Sequence, residues 1–328
     1  MKKLLKFALV SILLLTTLFI NVTKIVNAQE DTLTVGIVQL VSHPSLDQIV
    51  SGIYEGLEEQ GYIEGENLTV DFNNAQGDIN LLSQIAEGIV HNEPDLIFAV
   101  TTPVAQAFQH LTTDIPIIMV GVTDPLSAGL VENLDQPEAN ITGVSDMAPI
   151  EEQFDLLIDL FPEVTSVGMI YTTSEDNSLA DVEAAKAIAE ERGLEFTAEG
   201  ISASLDMQLV AENLASKAEV IYVGSDNTVA SAFGTLLNVT DKYQIPVFTS
   251  VYEMIEQGAF AGVTIEQKQV GVLAAEQAVL IANGQAISET PIAYVTELNS
   301  VYRSDVLEQL GLEIDREKLE ALTDISGE

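Results

Sequence analysis

From Leu33 onward the chain alternates short, nearly continuous apolar runs with longer stretches that are apolar on one face only, and few folds accept that rhythm. Apolar runs rich in β-branched residues recur at Leu33–Leu40, Leu68–Phe72, Asp95–Val100, Ile115–Val120 and Ile141–Val144. A second series follows at Ser166–Tyr171, Leu194–Ile201, Glu219–Val223, Ile245–Thr249 and Ala259–Ile265, and Ile292–Val295 adds one more. Strands apolar on both faces must be covered on both faces, which is the condition of a parallel sheet between two helix layers. The stretches between them read as those helices. In the first, Leu46, Ile49, Val50, Ile53, Tyr54 and Leu57 share one face while Glu55, Glu58 and Glu59 lie largely opposite. Ser45 and Gln48 form a capping-box pattern at its start, and Gly61 suits its end. Another helix is expected from Ser178, with Asp181 three residues on, to Arg192-Gly193. The expectation is an α/β fold of doubly wound type.

At 328 residues the chain is about twice a typical single domain, so two lobes are expected. An internal echo supports this. The run from Asp95 to Phe108 resembles the run from Glu219 to Phe233, and each is followed by an Ile-Pro strand, Ile115-Pro116 and Ile245-Pro246.

Charge excludes several functions. The first 28 residues hold four of the 12 basic residues and no acid, so the remainder carries eight basic groups against 51 acidic ones. Nucleic-acid binding and polybasic membrane contact both need stripes of Lys and Arg that this chain does not have. Zero cysteines exclude disulfides, thiolate metal sites and cysteine nucleophiles. At the N-terminus, Met1-Lys2-Lys3, the apolar run Phe7 to Val22 and the small-residue site Val26-Asn27-Ala28 have the three-part layout of a signal peptide over residues 1–28. The alternative is an uncleaved N-terminal anchor. Either way the protein is expected to be exported, extracellular or associated with the cell surface.

In open parallel sheets, ligands sit beyond the carboxyl ends of the strands. The residues there are Ser42-His43-Pro44, Thr101-Thr102-Pro103, Thr123-Asp124 and Ser145-Asp146 in the first half. The second half supplies Thr172 to Ser178, Ser225-Asp226-Asn227 and Ser250 to Glu253. These segments are rich in hydroxyls and carboxylates and contain no Lys or Arg. A ligand carboxylate would be held by helix N-terminal N–H groups and hydroxyls, with Thr102 as N-cap and Pro103 as the first helical residue. Asp226 could pair with an ammonium. Together they suit a zwitterion such as a free amino acid, although capping accounts for the same residues. Asp124 and Asp146 also fit turns. Tyr171 and Tyr252 are candidate cleft aromatics, whereas Phe248 reads as core. No histidine has a partner at metal-ligand spacing, and no nucleophile-elbow, P-loop or dinucleotide motif is present. No cofactor is expected.

These residues resemble the ABC-transporter substrate-binding proteins of the type I periplasmic-binding class, and within it the members that take up aromatic amino acids such as tryptophan. The resemblance rests on Ser42 to Asp47, Thr101 to Ala107, Gly121 to Pro125, Asn140 to Asp146, Tyr171 to Ser178 and Ser225 to Ala232, in that order. It implies two Rossmann-like lobes, the chain crossing between them three times, and a ligand cleft at the hinge. It points to Ser42, Thr101, Thr102, Asn177, Ser178, Asp226 and Asn227 as ligand contacts. Asp146 is expected at the first crossing with Tyr171 and Glu253 nearby, and His43 and Asp124 complete the candidate set. The expected lobes are 32–146 plus about 266–288 and 147–265 plus about 289–328. The implied partners are an amino acid, a membrane permease and its ATPase, with the protein itself a monomer. Members in Gram-positive cells usually carry a lipidation cysteine, which this chain does not have. A binder of a branched-chain amino acid or a nucleoside, a sensory binding domain, and a secreted α/β enzyme are the competing readings.

Overall fold

The computed structural model describes residues 32–327. The segment read as a signal peptide lies outside them. The chain begins with β1 (Leu33–Gln39), α1 (Pro44–Glu59), β2 (Leu68–Asn74), α2 (Ile79–His91), β3 (Leu96–Val100), α3 (Thr102–Gln109), β4 (Ile117–Val120) and β5 (Ile141–Ser145). It then crosses to a second unit made of α4 (Ile150–Leu160), β6 (Ser166–Thr172), α5 (Asp176–Glu191), β7 (Glu195–Ile201), α6 (Met207–Ala215), β8 (Val220–Val223), α7 (Asn227–Ser231), α8 (Phe233–Tyr243), β9 (Val247–Thr249), α9 (Tyr252–Gln257) and β10 (Ala261–Thr264). A second crossing leads back to α10 (Gln267–Ala282) and β11 (Ala293–Tyr294). A third returns to β12 (Asn299–Tyr302), α11 (Ser304–Leu310), α12 (Arg316–Leu319) and β13 (Thr323–Asp324).

The two sheets have strand orders β11-β5-β4-β3-β1-β2 and β13-β12-β10-β9-β8-β6-β7. Their strands run parallel except at one edge, where β12, with β13 parallel beside it, pairs antiparallel with β10. This is the two-lobed α/β fold that the alternation predicts. The period of two sorts side chains between the faces of each sheet: Val35 and Ile37 pack toward α1 and α10, while Val38 packs toward α2 and α3. Each fully buried Val, Ile or Leu contributes roughly 1.5–3 kcal/mol. In the second lobe Phe161, Phe248 and Phe260 meet edge to face with centroids 5.7–6.0 Å apart, so Phe248 is a core residue.

Three sequence expectations shift. Ile292–Val295 is expected in the second lobe, but Ala293 and Tyr294 pair with Val144 and Ser145 of β5. The third crossing therefore falls between Tyr294 and Asn299 and not near residue 289. The capping box at Ser45 is not used: His43 is the N-cap of α1, Pro44 opens the helix, and Ser45 lies inside its first turn. Helix α5 starts at Asp176, two residues before Ser178, and ends at Glu191, with Arg192 as its C-cap ahead of Gly193 at φ +75°.

Helices α1 and α10 meet backbone to backbone, although the crossing separates them by over 200 residues. A Cβ on Gly52 would stand 2.0 Å from the Lys268 carbonyl oxygen, and one on Gly271 would stand 2.0 Å from that of Ile49. That contact clamps the returning segment onto the first lobe. Gly52→Ala should therefore destabilise by at least about 2 kcal/mol through overpacking. Gly88→Ala, where a Cβ meets nothing within 4 Å, should be neutral or slightly stabilising. Urea unfolding of both variants checks this, and equal midpoints would refute the close approach.

Candidate functional site

The carboxyl ends of both sheets face each other across a cleft. His43, Ser45 and Leu46 at the start of α1, Thr101 and Thr102 at α3, Gly121 and Thr123 after β4, and Asp146 after β5 line it from the first lobe. Asn177 of α5, Ser225, Asp226 and Asn227 before and in α7, Ala230, Val251 and Met254 line it from the second, with Gln267 at the start of α10. They line a narrow cleft whose empty space of about 400 Å³ includes solvent at its mouth, and whose enclosed part is about 30 Å³. The lobes touch around it. Gln106 Nε2 donates to Asp176 Oδ2 at 2.7 Å, and Ser45 approaches the Glu253 carboxyl. The cleft is closed.

Several polar atoms in this wall are buried without a hydrogen-bond partner in the chain: both ring nitrogens of His43, the hydroxyls of Thr101 and Thr102, Asn177 Oδ1 and Gln267 Oε1. Buried polar groups are nearly always paired, so a cluster of exceptions marks a place where a polar ligand completes them. Thr101 adds a second sign. It is the N-cap of α3 at φ 90°, ψ 159°, a conformation close to glycine-only and costing of order 1–3 kcal/mol. The expected cap was Thr102; the register is one residue earlier, which opens α3 at Thr102 with Pro103 second.

The two candidate carboxylates differ. Asp226 caps α7, and its oxygens accept from the Thr172 N–H at 2.6 Å, the Thr172 hydroxyl at 2.7 Å, the Val229 N–H at 2.8 Å and the Ser178 hydroxyl. Burial, then Glu175, pushes it up to about 6 against the pull of those bonds. Asp146 accepts only the Thr123 hydroxyl among side chains, at 3.2 Å, and burial raises it to about 6. Its Oδ2 lies beside Gly121, whose φ of +65° keeps the wall free of a side chain there. Asp146 is thus the carboxylate with capacity left.

Asn177 and Asn227 are held by Glu175, which also accepts from the N–H and hydroxyl of Thr228. Burial lowers the pKa of His43 despite the approach of Asn227 and the charges of Asp47 and Glu175, so its imidazole is held toward the neutral form. Among the described residues, none lining the cavity is Lys, Arg, Phe, Tyr or Trp.

Of the residues expected at the site, His43, Thr101, Thr102, Asp146, Asn177, Asp226 and Asn227 come together here. The others do not. Ser42 is exposed and bonds Asp47. Asp124 caps the turn at Leu126 and Ser127. Ser178 is buried against Asp226. Tyr171 packs its ring on Gly200. Glu253 and Tyr252 line a neighbouring groove with Gln48. Ser45, Leu46, Gly121, Thr123, Ser225, Ala230, Val251, Met254 and Gln267 lie outside the candidate set, and of these Thr123, Ser225 and Val251 stand within the strand-end segments.

A model of the family described as ABC transporter substrate binding protein matches residues 34–324. The chain belongs to that family. It is 37% identical over 287 residues, 88% of this chain and 82% of the relative, to a protein of Clostridioides difficile named tyrosine-binding protein. Among solved structures it is similar to a Streptococcus domain in complex with L-Trp, at 35% identity and TM-score 0.86 over 89% of this chain and 99% of that one. It is also similar to the ligand-free, open form of a Clostridium difficile substrate-binding protein with adhesive properties, at 35% identity and TM-score 0.69 over 90% and 100% of the two chains. At equal identity, this substrate-binding protein superposes better on the ligand complex than on the open form, in keeping with its closed cleft. The family is one of solute binders, and among the described residues no group of ligating side chains suits a metal.

Asp181, behind the cavity, is raised to about 7 by burial and by the charges of Asp146, Asp226 and Asp124, while the Ser225 N–H pulls it down. A carboxyl whose pKa is higher folded than unfolded binds more protons in the folded state, so its contribution is greatest at low pH and is lost as pH rises through its folded value. The protein should therefore melt at a higher temperature at pH 5.5 than at pH 8. Asp181→Asn should flatten that slope and stabilise the protein at pH 8 by about 1 kcal/mol or more. An unchanged slope in calorimetric melts would refute it.

Proposed function

We propose that this protein is the exported binding component of an ABC importer and that it closes on a free aromatic amino acid, tyrosine or tryptophan, for delivery to a membrane permease and its ATPase. The observation that carries the reading is the ring of buried, unpartnered polar atoms around an inter-lobe cavity that has an apolar wall. The ligand ammonium pairs with Asp146. The ligand carboxylate lies at the N-terminus of α3, received by backbone N–H groups and the hydroxyls of Thr101 and Thr102, with neutral His43 beside it. Asp226, expected from sequence as the ammonium partner, is spent on Thr172, Ser178 and Val229 and serves to shape the α7 turn. The ring packs on Leu46, Val251 and Met254. The names of the relatives favour this ligand class: one is called tyrosine-binding and another holds L-Trp. Tyrosine and tryptophan share a flat ring that bears one hydrogen-bond donor.

Closure follows from the same contacts. Each lobe alone offers half of the polar set, so the ligand binds the closed arrangement more strongly than the open one and shifts the hinge equilibrium toward it. Export rests on the N-terminal sequence, and the permease on family membership.

The chain contains no tryptophan, so added L-tryptophan is followed by its own fluorescence, and tyrosine by competition or calorimetry. Saturable binding should weaken about 10-fold or more in Asp146→Asn, since a charge-assisted bond is worth roughly 1.5–3 kcal/mol. Glu87→Gln, on the exposed face of α2, should leave it unchanged. Binding of leucine or adenosine with no response to aromatic amino acids would overturn the ligand class, and equal affinity of both variants would overturn the role of Asp146.

A further inference from the structure

The cavity has two chemically different ends, set by which helices border it. On the α3 and α5 side stand Thr101, Thr102, Thr123, Asp146 and Asn177. On the α1, α9 and α10 side stand Leu46, Val251 and Met254, with His43 and Ser45 at the opening of α1, Ser45 engaged by Glu253, and a single amide, Gln267. Its place there follows from local structure. Val251 forms a bridge with Ile265, two residues before Gln267. The first turns of α10 are pressed onto α1, where Gly52 meets Lys268 and Gly271. Gln267 also lines the groove with Gln48 and Tyr252, so it stands between the two spaces. It is only 4% exposed, and its Oε1 has no partner in the chain. An unpaired carbonyl oxygen against an apolar wall is an acceptor waiting for a donor from the ligand side chain.

We propose that Gln267 is the specificity-determining residue of the cavity: its side-chain carbonyl accepts a hydrogen bond from the ring-borne donor of the ligand, a phenol O–H or an indole N–H, and so disfavours an aromatic amino acid with a bare ring. The inference rests on the ligand class proposed above and deepens it. A bare phenyl ring fills the same apolar wall yet leaves Gln267 Oε1 buried and unpaired, and sites built around such a group reject the ligand that fails to satisfy it. The polar end of the cavity treats tyrosine, tryptophan and phenylalanine alike, because all three carry the same ammonium and carboxylate. Discrimination among them has to come from the opposite wall.

The test is calorimetric titration of the full chain and of Gln267→Leu and Gln267→Met with L-tyrosine, L-tryptophan and L-phenylalanine. The wild type should bind tyrosine or tryptophan at least about 10-fold more tightly than phenylalanine, the size of one buried hydrogen bond. In both variants that ratio should collapse to about 1–3 as the donor-bearing ligands lose affinity and phenylalanine holds or gains, as expected when the unpaired group is removed. A structural role would lower all three affinities together and keep the ratio, which overturns the assignment. So does a wild-type ratio near unity, a measurement that needs no variant to fold. Failure of the wild type to bind any of the three overturns the proposed function and this inference with it, whereas binding without a change of ratio overturns the inference alone.

Discussion

A parallel sheet has a direction, and the rest of this molecule depends on it. Because a crossover carries a helix back against parallel strands, most strands of each sheet end where a helix begins, and those helix N-termini gather at the carboxyl edge of the sheet. Two such sheets set end to end bring the openings of α1, α3, α5 and α7 to a single space. Free N–H groups and N-cap side chains then face a common point with no Lys or Arg among the residues that line it. Helices α1 and α10, locked at Gly52 and Gly271, hold the returning chain so that Gln267 reaches the same space from the hinge.

That arrangement gives an intensely acidic chain the means to receive the carboxylate of the proposed ligand. Its basic residues sit on the outside, as in the pairs of Arg192 with Asp155, Lys217 with Glu199 and Lys268 with Glu55. In the proposed binding mode the positive ends of helices and the hydroxyls of Thr101 and Thr102 take the part a guanidinium plays elsewhere. The negative side of the same balance is Asp146, a half-buried residue whose carboxylate accepts one side-chain hydroxyl, that of Thr123, with no Lys or Arg among the residues lining the cavity. Leaving it so is costly for the isolated chain and favourable once an ammonium arrives.

Much of this is legible in the amino-acid order because it is local. Strand runs, their alternation with amphipathic helices, and the polar residues just past each strand end follow from neighbours in sequence, and seven of the residues predicted there do converge on the cavity. Where the reading fails, the missing information is long-range. Asp146 and Asp226 look alike as acids in polar turns, and only the arrival of Thr172 and Ser178 from β6 and α5 decides that Asp226 is satisfied. Tyr171 ends a predicted strand, but the neighbouring β7 supplies Gly200 for its ring to pack on. Leu46, Met254 and Gln267 carry no signal that separates them from ordinary helix residues. Their role exists only because three crossings bring two lobes together. The lobe boundary near residue 289 fails for a related reason: β11 is two residues long, and which sheet edge accepts it is settled by pairing with β5.

The central claim is that an aromatic amino acid lies between the lobes in one orientation, amine toward Asp146 and ring toward Gln267. A crystal structure grown with L-tyrosine or L-tryptophan tests it most directly. The account predicts a closed molecule with the ligand nitrogen within hydrogen-bond distance of the Asp146 carboxylate and the ligand carboxylate over the first turn of α3. A ligand bound outside this cavity, or bound in it with its ring against Asp146, would contradict it.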